Sequence, residues 1–225
     1  MLDILIIQHE IDTPPGTTLE WAKERNLSVA IWNISENQTP PFAVENLKAL
    51  IICGGSMDTF EEDKFPWLKI EKAFLKDCIE KKKPIFGLCL GSQLLAEVLG
   101  GKVYPMKQWE VGFIPVKMLD QSEEYSLDVF HWHQCTFDLP PNAKLIATND
   151  FCKNQAFAYD DHIIATQFHP ESTKDWILEC ADSVDERLQG LVQTKQEITQ
   201  NLALQEPLKK WFFQKLDTWF KNARI

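Results

Sequence analysis

Three short stretches of this chain carry residues suited to chemistry: "FGLCLGS" around Cys89, "TQFHPES" with His169 and Glu171, and "IICGGSM" with Gly54 and Gly55. A cysteine attacks as thiolate, an imidazole holds that thiolate as an ion pair and returns its proton to a leaving group, and a carboxylate fixes the imidazole's tautomer. In Gly87-Leu88-Cys89-Leu90-Gly91 the glycines leave room for a strained strand-to-helix turn, so the reactive atom sits beside a helix N-terminus whose partial positive charge favours thiolate. Glu171 stands two residues after His169, with Pro170 stiffening the turn between them. Gly54 and Gly55 present backbone N–H groups unobstructed by side chains, which suits an oxyanion hole. Leu90, the residue after the cysteine, supplies the second donor of such a site.

Each piece also has a plainer reading. Cys89 alone is a small buried hydrophobe, the commonest state of a free cysteine. His169 and Glu171 could be a solvent-facing histidine and an acid that favours a helix dipole. Gly54-Gly55 could be a simple turn or a phosphate loop, although neither the P-loop nor the dinucleotide fingerprint is present. His131 and His133 could share a strand face, but no third ligand stands at a metal-like spacing, so packing or substrate-loop structure is expected there and no metal. Nothing around Cys135 or Cys152 argues for redox chemistry. Glu61-Glu62-Asp63 and Lys81-Lys82-Lys83 read as solvated surface.

The elements that must position these groups alternate along the first hundred residues. Strand-like runs at 4–7, 27–34, 48–53 and 84–88 are separated by helical repeats at 19–26 and 66–82, the second with Leu68, Phe74, Leu75, Cys78 and Ile79 on one stripe. This is the pattern of α/β units on a mostly parallel sheet. Beyond residue 100 shorter strands are expected as antiparallel additions to the same sheet. From Ser172 the chain is expected to be helical to its end. There Leu208, Trp211, Phe212, Leu216, Trp219 and Phe220 share one side and predict docking on the parent domain.

With 225 residues, 44% of them hydrophobic, the chain fits a single domain spanning 1–225 with a helical extension over about 172–225. A formal net charge of −10 opposes a nucleic-acid partner. The N-terminal apolar run is short, contains Asp3 and lacks a basic flank, so neither a signal peptide nor a membrane span is expected. Six dispersed cysteines without paired spacing read as reduced thiols of a cytoplasmic protein.

Taken in order, "GGSMDTFEEDKFPWL", "GLCLGSQLLAEVLGG", "WEVGFIPV", "FHWHQCTFDLPPNA" and "ATQFHPE" resemble the class I glutamine amidotransferases, in particular stand-alone proteins similar to the amidotransferase domain of GMP synthetase. The resemblance implies a flavodoxin-like three-layer α/β sandwich and a Cys-His-Glu triad that cleaves a γ-glutamyl amide through a thioester, without a cofactor. It makes Cys89 the nucleophile, His169 the general acid and base, and Glu171 its orienting partner, with Gly55 and Leu90 as oxyanion donors. It also implies that Gly54, Gln93 and a loop at Trp132, His133, Gln134 and Cys135 bind the glutamine end of the substrate. Relatives of this kind carry glycine and aspartate where this chain has Gln134 and Cys135, and glycine admits a backbone approach or a positive φ that glutamine adopts less readily.

Three functions compete at this level. The first is a glutaminase that passes ammonia to a separate synthase subunit. The second is a free-standing γ-glutamyl peptidase, which tolerates a remodelled α-end loop. The third is a non-catalytic module of the same fold, which the intact Cys89, His169 and Glu171 oppose. An α/β-hydrolase with a cysteine elbow would place its acid before the histidine, the reverse of the order here.

Overall fold

The computed structural model describes residues 1–120 and 123–221. Its strands are β1 Leu2–Gln8, β2 Val29–Asn33, β3 Leu47–Ile52, β4 Ile85–Leu88, β5 Val103–Met118, β6 Tyr125–Phe137, β7 Lys144–Thr148, β8 Ala156–Tyr159, β9 Ile163–Thr166 and β10 Gly190–Val192. Its helices are α1 Thr17–Glu24, α2 Trp67–Glu80, α3 Leu90–Val98, α4 Lys174–Asp182, α5 Lys195–Gln200 and α6 Gln205–Lys221. All ten strands join one sheet in the order β10-β5-β7-β8-β9-β4-β3-β1-β2, with β6 paired to β5 outside that path. Strands β2, β1, β3, β4 and β9 run parallel, whereas β5 through β9 are linked by antiparallel pairings. The sheet therefore has the expected parallel half and antiparallel half.

The parallel strands are buried on both faces, and period-two alternation deals their side chains to two cores. On β1, Ile4 and Ile6 join the core under α1, α4, α5 and α6, while Leu5 and Ile7 join the core under α2 and α3. This is the three-layer arrangement. Helix α6 buries all six apolar residues of its expected stripe, and Phe212 and Trp219 meet Phe86 of β4 edge-on at centroid separations of 5.5 and 5.9 Å. Thus the last helix backs the strand that leads to Cys89.

One expectation changes. The region after Ser172 is not continuously helical, because β10 interrupts it and adds a parallel edge to β5. Gly190 makes this possible: its φ is 134°, and a Cβ there would lie 2.2 Å from the Trp109 carbonyl oxygen, so only glycine brings the chain close enough to pair. Residues 222–225, included in the expected terminal helix, lie outside the described residues.

Candidate active site

The parallel strands end on one side of the sheet, where open α/β sheets place their ligands. Gly54 and Gly55 follow β3, Cys89 follows β4, and His169 and Glu171 follow β9. Cys89 takes φ 48° and ψ −105°, a region that non-glycine residues avoid, and α3 begins at the next residue. The glycines have measurable reasons to be there. A Cβ at Gly87 would lie 2.7 Å from the Gly91 carbonyl oxygen, and a Cβ at Gly91 would lie 2.6 Å from that of Ile52. The elbow is pinned to the neighbouring strand by Cys89 N–H donating to the Thr166 carbonyl at 2.8 Å.

His169 is tied to β6 through its N–H and the Phe130 carbonyl at 2.8 Å. Its Nδ1 lies 2.8 Å from Glu171 Oε1, so Nδ1 carries the proton and the other ring nitrogen remains for the hydrogen bond to Cys89. Burial works against charge on this imidazole, yet Glu171 and Cys89 outweigh it and raise its pKa to about 10. Glu171 is itself held, since its carbonyl oxygen accepts from Thr17 N–H at 2.7 Å at the start of α1. Cys89, His169 and Glu171 are 6%, 3% and 4% exposed, so the ion pair has little water to compete with. Gln167 was not anticipated: its side-chain N–H points at Cys89 Sγ at 3.6 Å.

The two predicted oxyanion donors, Gly55 and Leu90, sit at the same end of the sheet as Cys89. Gly55 and Cys89 line the same two clefts. Leu90 opens α3, so its N–H has no acceptor within the helix. A side chain at Gly55 would press within 2.6 Å of Met57 Sδ and 2.8 Å of Leu90 Cδ2.

The expected substrate loop is a strand. Trp132, His133, Gln134 and Cys135 all belong to β6, opposite a register shift in β5 between Pro105 and Glu110. That bulge lets consecutive residues face one cleft, which Trp132, His133, Gln134 and Cys135 line together with Gly55, Cys89 and Gln93. Gln134 keeps a negative φ and its amide donates to the Met106 carbonyl at 3.3 Å. Cys135 donates to Asp58 Oδ1 at 3.0 Å. Burial and the Asp58 carboxylate hold its thiol well above the usual range, leaving it protonated. The Gln93 amide points to Gln167 Oε1 at 3.1 Å.

Behind this wall Glu110 pairs with His133 across the strands. Its Oε2 lies 3.1 Å from His133 Nε2, and Asn149 and Gln155 donate to its two oxygens at 2.6 and 2.7 Å. Burial would raise this carboxyl's pKa, but His133 and its neighbours bring it down to about 2. His131, driven by burial to about 3, is neutral, and its Nδ1 lies 3.2 Å from His133 Nε2. Glu110, His131 and His133 have ligand atoms within 4.8 Å of one another, the third group that their sequence spacing lacked. However, His133 faces an acceptor from both nitrogens, Glu110 Oε2 and the Cys135 carbonyl at 3.0 Å. Hydrogen bonds within the protein thus already engage both of its nitrogens, and the cluster forms a buried network that ties β6 to β5 and to Asn149 and Gln155.

His9 and Glu71 were also not anticipated. Both are fully buried and hydrogen-bonded to each other beside Gly54. The readable signal for Glu71 is its place on the apolar stripe Leu68-Glu71-Leu75-Cys78, whose 3-4-3 spacing faces the core.

Residues 18–175 match the family model described as glutamine amidotransferase class-I. A relative from Thermococcus kodakarensis, named as one subunit of a glutamine-hydrolyzing GMP synthase, is 32% identical over 162 residues, covering 67% of this chain and 81% of that protein. Gamma-glutamyl peptidase 2 of Arabidopsis thaliana is 29% identical over 152 residues, covering 63% of this chain and 60% of the peptidase. The crystal structure of a glutamine amido transferase from Methylobacillus flagellatus superposes with a TM-score of 0.91 at 25% identity, covering 98% of this chain and 95% of the other. With a matched family model over most of its length, an elbow cysteine and the fold to hold it, this chain belongs to the class I glutamine amidotransferase family.

Proposed function

We propose that the chain hydrolyses a γ-glutamyl amide through a thioester on Cys89. The observation that carries this reading is the buried line from Cys89 through His169 to Glu171, with Gly55 lining the same clefts as Cys89. The thiolate attacks the γ-carbonyl and negative charge develops on its oxygen, where Gly55 and Leu90 donate. His169, holding the proton, protonates the departing amine, and the neutral imidazole then activates water to release glutamate. Glu171 keeps Nδ1 protonated throughout, so the proton moves only at Nε2. Gln167 adds a donor to the thiolate. Gln93, Gly54 and the β6 residues Trp132 to Cys135 form the wall for the glutamyl end.

The leaving group departs on the His169 side, where a cleft of about 340 Å³ is lined by Trp132, Trp176, Glu10, Asp12 and Glu179. This space far exceeds an ammonia molecule and favours the second reading, a γ-glutamyl peptidase that takes a larger amine. The relative from the GMP synthase supports the alternative in which ammonia passes to a separate synthase. The purified protein is to be incubated with glutamine and with a panel of γ-glutamyl peptides beside Cys89→Ala, reading glutamate release. Release from peptides in preference to glutamine supports the peptidase, the reverse supports the glutaminase, and turnover of neither overturns both.

A further inference from the structure

Next to the Gly54-Gly55 peptide lies a buried charged pair. His9 follows β1 and is 1% exposed; Glu71 projects from the core face of α2 and is fully buried. His9 Nδ1 is 2.8 Å from the Gly54 carbonyl oxygen, and His9 Nε2 is 3.0 and 3.1 Å from the two Glu71 oxygens. Both ring nitrogens thus face acceptors, so each must donate and the ring carries a positive charge. Burial opposes that charge, and the Glu71 carboxylate reverses the balance and raises the pKa above the ordinary histidine value. Trp67 stacks on the ring at 5.5 Å and 22°, which fixes its plane. Such a pair is expensive to desolvate and contributes little net stability, so its presence calls for a purpose other than holding the core together.

The geometry of one peptide bond supplies that purpose. The Gly54 carbonyl and the Gly55 N–H belong to the same peptide, which is trans, so the two groups point in opposite directions. Fixing the carbonyl fixes the direction of the N–H. Two donors grip this carbonyl: His9 from one element and Thr13 Oγ1 at 3.2 Å. Two glycines in sequence would otherwise let the peptide rotate freely. A cation on the carbonyl oxygen also polarises the amide and strengthens its N–H as a donor.

We propose that the His9–Glu71 pair is a positioning device that holds the Gly54-Gly55 peptide with its N–H turned to the oxyanion site. The assignment rests on the thioester reading above. Glu71 keeps both imidazole protons in place, and His9 transmits that constraint to the peptide; neither residue touches the substrate.

The test separates oxyanion stabilisation from general damage. With the γ-glutamyl substrate hydrolysed best by the wild type, His9→Ala is expected to lower kcat by about 10²–10³, the effect of losing one oxyanion donor, with KM changed less than about threefold. Alkylation of Cys89 by iodoacetamide forms no oxyanion, so its rate is expected to stay within about twofold of wild type. His9→Asn, whose side-chain amide can still donate to Gly54, is expected to recover most of the kcat. The double variant H9L/E71L removes both charges and covers the case in which His9→Ala fails to fold; it is expected to repeat the kcat loss. A kcat for H9L/E71L within about threefold of wild type, or alkylation falling in step with kcat, overturns the proposal. If the wild type releases no glutamate, the hydrolase reading fails on its own. The crystal structure of the double variant then decides the positioning claim, which a Gly54-Gly55 peptide unchanged in orientation overturns and a reoriented one upholds.

Discussion

The backbone at Cys89 makes a prediction whose sign opposes ordinary experience. Replacing alanine by glycine in a regular segment costs about 0.5–1 kcal/mol, because glycine loses more freedom on folding. At Cys89 the order should reverse. With φ 48° and ψ −105° the residue lies outside even the small left-handed region open to L-residues, which places its strain near the top of the usual range, about 2–3 kcal/mol. Cys89→Ala retains a Cβ and therefore the strain; Cys89→Gly releases it and gives back the usual glycine cost of about 0.5–1 kcal/mol. Glycine should then be the more stable variant by about 1–2.5 kcal/mol, or about 2–10 °C in Tm for a chain of this length. Since both variants lack the thiol, the comparison cancels any contribution of the ion pair with His169. Thermal unfolding of the two proteins, checked by urea titration, gives the answer. If alanine instead proves more stable than glycine by the ordinary amount of about 0.5–1 kcal/mol, the turn at Cys89 stores no strain.

Other consequences can be measured on the same protein. Glu110→Gln leaves His133 without its buried carboxylate and should lower stability by about 3–5 kcal/mol in urea titration. Because the Glu110 carboxyl is lowered from 4.5 to about 2 in the folded state, its contribution is complete above about pH 4.5. The wild-type advantage should shrink as the pH falls from there through about 2. His169 behaves in the opposite sense: with its pKa raised from 6.5 to about 10, the stability it adds is complete below pH 6.5 and is lost as the pH rises through 10. The difference in Tm between wild type and His169→Asn should narrow over that window. Glu171→Gln removes the charge that holds Nδ1 protonated, and kcat should fall by about 10²–10⁴ while the secondary-structure signal stays that of wild type. Gly91→Ala forces a methyl against the Ile52 carbonyl at 2.6 Å and should cost about 1–3 kcal/mol.

The parts of the site that could be read from the amino-acid order are those whose chemistry shows locally. Gly87, Cys89 and Gly91 announce a turn, and His169 with Glu171 announces an oriented imidazole, because each group lies within a few residues of its partner. The partners that escaped notice are brought together only by the tertiary fold. His9 meets Glu71 across 62 positions and Glu110 meets Gln155 across 45, distances over which no periodicity carries information. Trp132 to Cys135 were expected on a loop through the family resemblance, although His131 and His133 already read as sharing a strand face. What lets this strand line a cleft is the register shift in the facing β5, a property of that strand rather than of β6. Similarly, β10 was missed since three residues after a glycine form no readable run until an open sheet edge accepts them.

The packing of α6 bears on how fast this protein reaches its working state. Asp217 accepts hydrogen bonds from the Trp21 indole at 3.0 Å and from Arg25 at 2.8 Å, contacts that close loops of 196 and 192 residues. The same helix covers Phe86, the residue three positions before Cys89. Contacts of such long sequence separation are reached late, since loop closure must be completed before they return any energy. A refolding chain should therefore form its parallel strands before Cys89 becomes reactive, and the appearance of alkylation by iodoacetamide should lag behind the recovery of secondary structure.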